Sequence, residues 1–179
     1  MSKSTLKALP TPPAMNDATT AGELWEWHDT LEAEAASLLG HMLFGFSRLD
    51  VNLGLCLVWV DDGSKLQRLT KTVSDKGFKA RLDDLADHVA AKWPPGSTKR
   101  LAWDAWIAQT DAMRVQRNQL VHGRWGVEAH RSKVVNIVGL PTGDNQVCTE
   151  YSLEELAAVN EELRALLTEL GRLRFQWPV

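Results

Sequence analysis

The sequence predicts a mainly α-helical bundle with a β-hairpin inserted before its last helix. Apolar residues recur at helical spacing from Leu24 to Val60, and a seam of three- and four-residue steps runs from Leu156 to Leu173. Two β-prone runs, at 133–138 and 146–151, lie on either side of Pro141-Thr142-Gly143-Asp144-Asn145. Long helical periods with one pair of strands place the chain in the mainly α class.

Length and composition indicate a single domain and a cytoplasmic protein. The chain has 179 residues, 44% of them hydrophobic, which is enough for one substantial core. Residues 1–19 are rich in Ser, Thr and Pro, so we expect a disordered arm there and a single domain over 20–179. The sequence has no secretory signal and no apolar run of roughly 20 residues. We therefore expect a cytoplasmic protein with no membrane partner.

Net charge and cysteine content argue against a protein that coats nucleic acid, a disulfide framework and a zinc site. The net charge is −3, so nucleic-acid binding would need a local basic cluster. Cys56 and Cys148 form no C-x-x-C pair, and we expect two reduced thiols packed as small apolar groups. His28 and Glu32 lie one turn apart but have no third ligand at suitable spacing. The sequence thus predicts no metal site and no cofactor.

Local signals mark the helix ends. Thr20 and Glu23 have capping-box spacing before the first helix, as do Ser152 and Glu155 before the last. The first helix is either continuous over 21–60 or broken near Gly40 or Gly45, and the sequence does not separate these alternatives.

The middle of the chain contains three further predicted helices and the hairpin. Pro94-Pro95-Gly96-Ser97 ends one of these helices and begins the next. Trp125 is expected to pack under the hairpin, since large aromatic side chains usually go to the core. The predicted helices span about 65–73, 79–93 and 98–122, and the hairpin spans about 131–151.

The most unusual stretch is the end of the 98–122 helix. Arg117 shares the face of Met113 and Leu120, so a permanently charged group lies in an apolar stripe and needs a partner or a ligand. Asn118 and His122 lie one turn apart on an adjoining face. Gly123 is interpreted as the left-handed cap that closes the helix. Alternatively, these charges only favour the helix dipole.

The run Arg117-Asn118-Gln119-Leu120-Val121-His122, followed by Gly123, resembles the R-N-x-x-x-H motif of the HEPN superfamily. The resemblance implies an antiparallel helical bundle that commonly forms a homodimer. Many members are metal-independent endoribonucleases of toxin–antitoxin, abortive-infection or CRISPR systems. It also implies an antitoxin or another partner protein, and RNA as the substrate.

Carried over residue by residue, the resemblance makes Arg117, Asn118 and His122 catalytic. A 2′-hydroxyl would attack the adjacent phosphate while His122 moves protons and Arg117 stabilises the developing charge. Arg117 and His122 are about 140° apart on an ideal helix, so we expect a twofold dimer to complete the site. The residues expected to contact RNA phosphates are Arg114, Arg124, Arg131 and Lys133.

Two other hypotheses about the function stay open. A catalytically inactive HEPN-like module could bind a nucleotide or a protein through the same surface. A helical assembly protein could use the leucine seam at 156–173 for dimerisation, although an arginine in an apolar stripe argues against a purely scaffolding role.

Overall fold

A computed structural model of the chain describes residues 8–13, 19–143 and 146–179, except for the side chain of Asp61. The predicted N-terminal arm therefore falls largely outside the described residues, and residues 8–13 form no helix or strand. The described residues form five α-helices and three β-strands, which confirms the mainly α fold with a β-hairpin insert. The elements are α1 (Ala21–Val58), α2 (Leu66–Ser74), α3 (Phe78–Lys92), α4 (Thr98–Val121), β1 (Arg124–Glu128), β2 (Lys133–Val138), β3 (Val147–Tyr151) and α5 (Leu153–Gln176).

Helix α1 is continuous over 38 residues, which settles the alternative that the sequence left open. It begins at the predicted capping box, where the Thr20 backbone N–H donates to Glu23 Oε2 at 2.7 Å and the Glu23 N–H donates to Thr20 Oγ1 at 3.3 Å. Gly40 and Gly45 lie inside it. The cost of a glycine, about 1 kcal/mol, is offset by the burial of apolar side chains such as Leu49 and Leu53, both 0% exposed.

The chain forms two compact units, each built from two segments. One, the sheet unit, comprises Met1–His41 and Gln119–Asn160, and the other, the helical unit, comprises Met42–Asn118 and Glu161–Val179. Helices α1, α4 and α5 each contribute to both units. The single domain expected over 20–179 stays a prediction.

In the helical unit, two tryptophans of α4 join it to α5 and to the residue that follows α5. The Trp103 indole N–H donates to the Trp177 carbonyl at 3.1 Å, and that of Trp106 donates to the Leu166 carbonyl at 2.9 Å. Both indoles are almost fully buried, so satisfying their N–H groups avoids the penalty of an orphaned donor.

The leucine seam of α5 is buried within the chain. Each of its six side chains is at most 4% exposed, so the seam is core and not a free dimerisation surface. The predicted capping box begins this helix, because the Ser152 N–H donates to Glu155 Oε2 at 2.7 Å. The seam residues are Leu156, Val159, Leu163, Leu166, Leu170 and Leu173.

The sheet unit contains a three-stranded antiparallel sheet in the order β1-β2-β3. The predicted hairpin corresponds to β2 and β3, and β1 is a strand that the sequence did not predict. Val135 on the central strand pairs with Gly126 on one side and Glu150 on the other. The Trp27 indole N–H donates to Ser132 Oγ at 3.1 Å, which fastens the β1–β2 connection to α1.

The two cysteines are free but differ in burial. Cys56 on α1 is 3% exposed, as expected of a packed thiol. The expectation was wrong for Cys148, which lies on β3, a strand whose first four residues, 147–150, are all exposed. Across the described residues, no helix combines the length and the apolar character that crossing a membrane requires.

Candidate functional site

Helix α4 carries Arg117, the first residue of the predicted motif, on a face that is mainly apolar. Trp103, Trp106 and Met113 on this face are at most 1% exposed, and Leu120 is 2% exposed. Arg117 lies between Met113 and Leu120 and is partly buried, as the helical projection predicted.

Arg117 is only partly satisfied by its neighbours. Its Nη1 donates to Asn118 Oδ1 at 3.1 Å, and its guanidinium lies 5.1 Å from the centre of the Phe46 ring. Its Nε is buried and has no hydrogen-bond partner within the described residues. A buried guanidinium donor left without an acceptor costs free energy, so Arg117 is poorly explained as a structural residue.

Arg117 and Asn118 line a cavity of about 300 Å³ in the helical unit. This volume is at the lower end of the range of small-ligand pockets. Two more cationic side chains, Lys79 and Arg114, line the cavity, and its described lining contains no aspartate or glutamate. The other lining residues are Phe46, Gly77, Phe78 and Ala80.

His122 is the first residue after α4 and is exposed. The helix end beside it is held by Trp125, whose indole N–H donates to the Leu120 carbonyl at 3.0 Å. The Trp125 ring also contacts that of Tyr151, with the ring centres 5.7 Å apart. Trp125 is thus a packing residue, as predicted, and it satisfies a helix-terminal carbonyl in addition.

Gly123 does not form the predicted left-handed cap. Its φ is outside the positive range, whereas Gly96 has φ 78°. The physical reason for the glycine is space, because a Cβ added there would lie 1.9 Å from Oδ1 of Asn136. Asn136 is 3% exposed, and its Nδ2 has no partner within the described part of the chain.

The predicted catalytic residues are divided between the two units. Arg117 and Asn118 belong to the helical unit, where a hydrogen bond joins them. His122 belongs to the sheet unit, four residues further along the chain. The structure thus brings two of the three residues into one cavity.

Arg114 and Arg124 retain unused donors. Arg114 uses Nε to bind Asp111 at 2.8 Å, and this contact holds the pKa of the Asp111 carboxyl below its usual range. Arg124 on β1 is exposed and donates to Gln146 Oε1 at 2.8 Å. Both keep guanidinium N–H groups for a phosphate.

Arg131 is less suited to the predicted phosphate contact. It donates to Glu128 at 2.8 Å and to both carboxylate oxygens of Glu150 at 2.8 and 2.7 Å. These bonds lower the pKa of Glu150 and raise that of Arg131. Lys133 lies opposite Glu128 in the sheet, so both cations face carboxylates.

No sequence pattern predicted the residues that complete the cavity. Phe46 and Phe78 pack ring against ring at 4.6 Å, and Gly77 and Lys79 lie at the start of α3. These residues come from α1 and from the start of α3, so no local pattern marks them as neighbours of Arg117. The available signal was a glycine, Gly77, at the start of the predicted helix where a capping side chain is common, followed by Lys79.

His28, a metal-ligand candidate, is in contact with its neighbours on α1. His28 Nδ1 lies 3.3 Å from Asp29 Oδ1, and its ring contacts that of Trp25. Among the described residues, no three side chains of His, Cys, Asp or Glu group to hold a metal ion.

Comparison with known proteins adds no relative. No family model, no curated protein and no solved structure matches this chain.

Proposed function

We propose that this protein is a metal-independent endoribonuclease of the HEPN type. The observation that carries the proposal is the state of Arg117, a partly buried arginine with an orphaned Nε that is bonded to Asn118 and lines a cationic cavity. A phosphate oxygen would supply the missing acceptor, because guanidinium groups bind phosphate through parallel N–H donors.

The reaction follows from the chemistry of the three motif residues. The RNA 2′-hydroxyl attacks the adjacent phosphorus, and His122 accepts its proton. The bond from phosphorus to the 5′-oxygen breaks, and that oxygen takes its proton from a His122 imidazolium. The products are a 2′,3′-cyclic phosphate and a 5′-hydroxyl. Arg117 stabilises the charge that develops on the phosphorane oxygens, and Asn118 orients the guanidinium through its Oδ1.

A second copy of the chain completes the proposed site. On one regular helix, Arg117 and His122 are about 140° apart, so a single helix aims them in different directions. A twofold axis near the end of α4 would place the His122 of each copy near the motif of the other. The exposure of His122 leaves it free for such a contact.

Further RNA phosphates contact the predicted cations of each unit. Arg114 and Arg124 are the better phosphate contacts, since each has N–H groups to spare. Arg131 and Lys133 contribute less because carboxylates surround them. We place the activity in the cytoplasm, in a toxin or phage-defence setting, with an antitoxin or another protein as regulator.

One observation favours the alternative of an inactive HEPN-like module that binds a nucleotide or a protein. Arg117 and Asn118 line the cavity in the helical unit without any contribution from the sheet unit, which contains His122. Such a cavity could bind a ligand and leave it uncut.

An RNA-cleavage assay with EDTA present separates these functions. The wild-type protein should cut RNA to cyclic-phosphate ends, and Arg117→Ala and His122→Ala should each lower the rate by roughly 100-fold or more. His41→Ala and Arg164→Ala remove the same side chains elsewhere and should keep the wild-type rate. If wild type and His122→Ala cut equally well, or neither cuts, the enzyme proposal is overturned.

A further inference from the structure

We propose that the cavity beside Arg117 is a phosphate-binding site built by the first turn of α3 together with Lys79, Arg114 and Arg117. The identification of the ligand as an RNA strand rests on the proposed function, whereas the binding of a phosphate group does not. It goes beyond the motif because α3 and Lys79 are no part of it.

The cationic side chains are the first support. Lys79, Arg114 and Arg117 all line the cavity, and they come from two helices of the helical unit. Lys79 and Arg114 each have a carboxylate partner on their own helix, Asp83 and Asp111, but neither partner lines the cavity. An anion inside it would therefore meet three cationic side chains, of which Arg117 has no carboxylate partner among the described contacts and the other two share their charge with carboxylates outside the lining.

The available donors are the second support. Arg114 uses only Nε in its ion pair, and Arg117 has the orphaned Nε. Asn118 accepts through Oδ1, which leaves its amide N–H groups for a ligand. A phosphate has enough acceptor oxygens to use several of these donors at once.

The start of α3 adds backbone donors to the same cavity. The first intrahelical bond runs from the Arg81 N–H to the Gly77 carbonyl, so the N–H groups of residues 78–80 lie before the helical ladder. Gly77 is the N-cap, and no side chain caps the helix. Since Gly77, Phe78, Lys79 and Ala80 all line the cavity, the uncapped amides and the positive end of the helix dipole serve the same anion.

Gly77 offers a test that separates binding from folding. Its φ of −71° and ψ of 165° suit any N-cap residue, and a Cβ there meets no atom of the described residues within 4 Å. An aspartate at this position should cap α3 and at the same time place a carboxylate where the phosphate binds. Gly77→Asp should therefore unfold no more easily than the wild type and yet lose the anion.

Binding is measured on the full chain with His122→Ala, so that RNA is not consumed. The probes are one oligoribonucleotide with a 5′-phosphate, the same oligoribonucleotide with a 5′-hydroxyl, and inorganic phosphate.

The variants should differ in how much they weaken binding. Gly77→Asp should weaken it roughly tenfold or more, and Lys79→Ala about threefold or more. Gly77→Asn caps the helix without charge and should weaken it less. Gly171→Asp adds the same charge at an exposed helical site and should leave binding unchanged.

The probes identify the source of the phosphate. A Gly77→Asp effect confined to the 5′-phosphorylated strand assigns a terminal phosphate, and an equal effect on both strands assigns an internal phosphodiester. An effect on inorganic phosphate alone supports the site but removes RNA as its ligand. Equal affinities of Gly77→Asp and Gly171→Asp for all three probes, or no binding by the parent chain, overturn the proposal.

The ribonuclease proposal can fail independently. Gly77-dependent binding without His122-dependent cleavage would keep the phosphate site and remove the enzyme. His122-dependent cleavage with Gly77-independent binding would do the reverse.

Discussion

The amide of Asn136 occupies the space where Gly123 would carry a side chain. A Cβ built on Gly123 would come within 1.9 Å of Asn136 Oδ1 and 2.2 Å of its Nδ2. Asn136 is buried on the central strand of the sheet, where it pairs with Trp125 and Thr149. The chain that follows His122 is thereby packed directly against the sheet.

Gly123→Ala should destabilise the protein by about 1–3 kcal/mol, because the buried amide or the backbone must move to admit the methyl group. The free energy of unfolding, measured in urea, checks this. Gly126→Ala is the matched control, since a Cβ on Gly126 meets nothing within 4 Å in the part of the chain that the structure describes. Equal stability of the two variants would show that Asn136 yields without cost.

Arg117→Met should leave the free energy of unfolding within about 0.5 kcal/mol of the wild type or raise it. Methionine keeps the apolar stripe and removes a buried donor without a partner. Arg81→Met should cost about 1–2 kcal/mol, since Arg81 donates to Asp50 at 2.8 Å and to the Val73 carbonyl at 3.0 Å. A larger loss for Arg117→Met than for Arg81→Met would assign Arg117 a structural role.

The two thiols should differ sharply in reactivity. Burial raises the pKa of the Cys56 thiol to about 11, although Arg174 opposes this, so little thiolate forms near neutral pH. Cys148 is exposed. The native protein should therefore react with one equivalent of a thiol reagent and with a second only after unfolding. The Cys148→Ser variant should show no fast phase, and a persisting fast phase would contradict the burial of Cys56.

The stabilisation that the capping box of α1 contributes should depend on pH. Hydrogen bonds from the backbone and side chain of Thr20 lower the pKa of Glu23. A lowered pKa means that the stabilisation is present above the unfolded-state value of about 4.3 and is lost as pH falls through the folded-state value. The stability difference between wild type and Glu23→Gln should therefore be constant near neutral pH and shrink in acid. A difference that does not change on acidification would show that the charge on Glu23 is not what caps the helix.

The parts of the fold that rest on neighbouring residues could be predicted from the sequence. Both capping boxes form the expected bonds, and the seam of α5 is buried at every predicted position. Strand β1 could not be predicted as readily, because its five residues include a glycine and gain their hydrogen bonds from β2. Periodicity over so few residues does not distinguish a strand from a loop.

The features of the candidate site can likewise be divided into those that the sequence predicts and those that it does not. The sequence by itself determined that the chain is mainly helical, where its helices begin, and that Arg117 lies in an apolar stripe, because capping and helical periodicity involve residues within a few positions of each other. Only the tertiary structure decided that Arg117 and the first turn of α3 share a cavity and that Gly123 makes room for Asn136. Those neighbours come from other helices and from the sheet, and the packing that brings them together leaves no local pattern in the sequence.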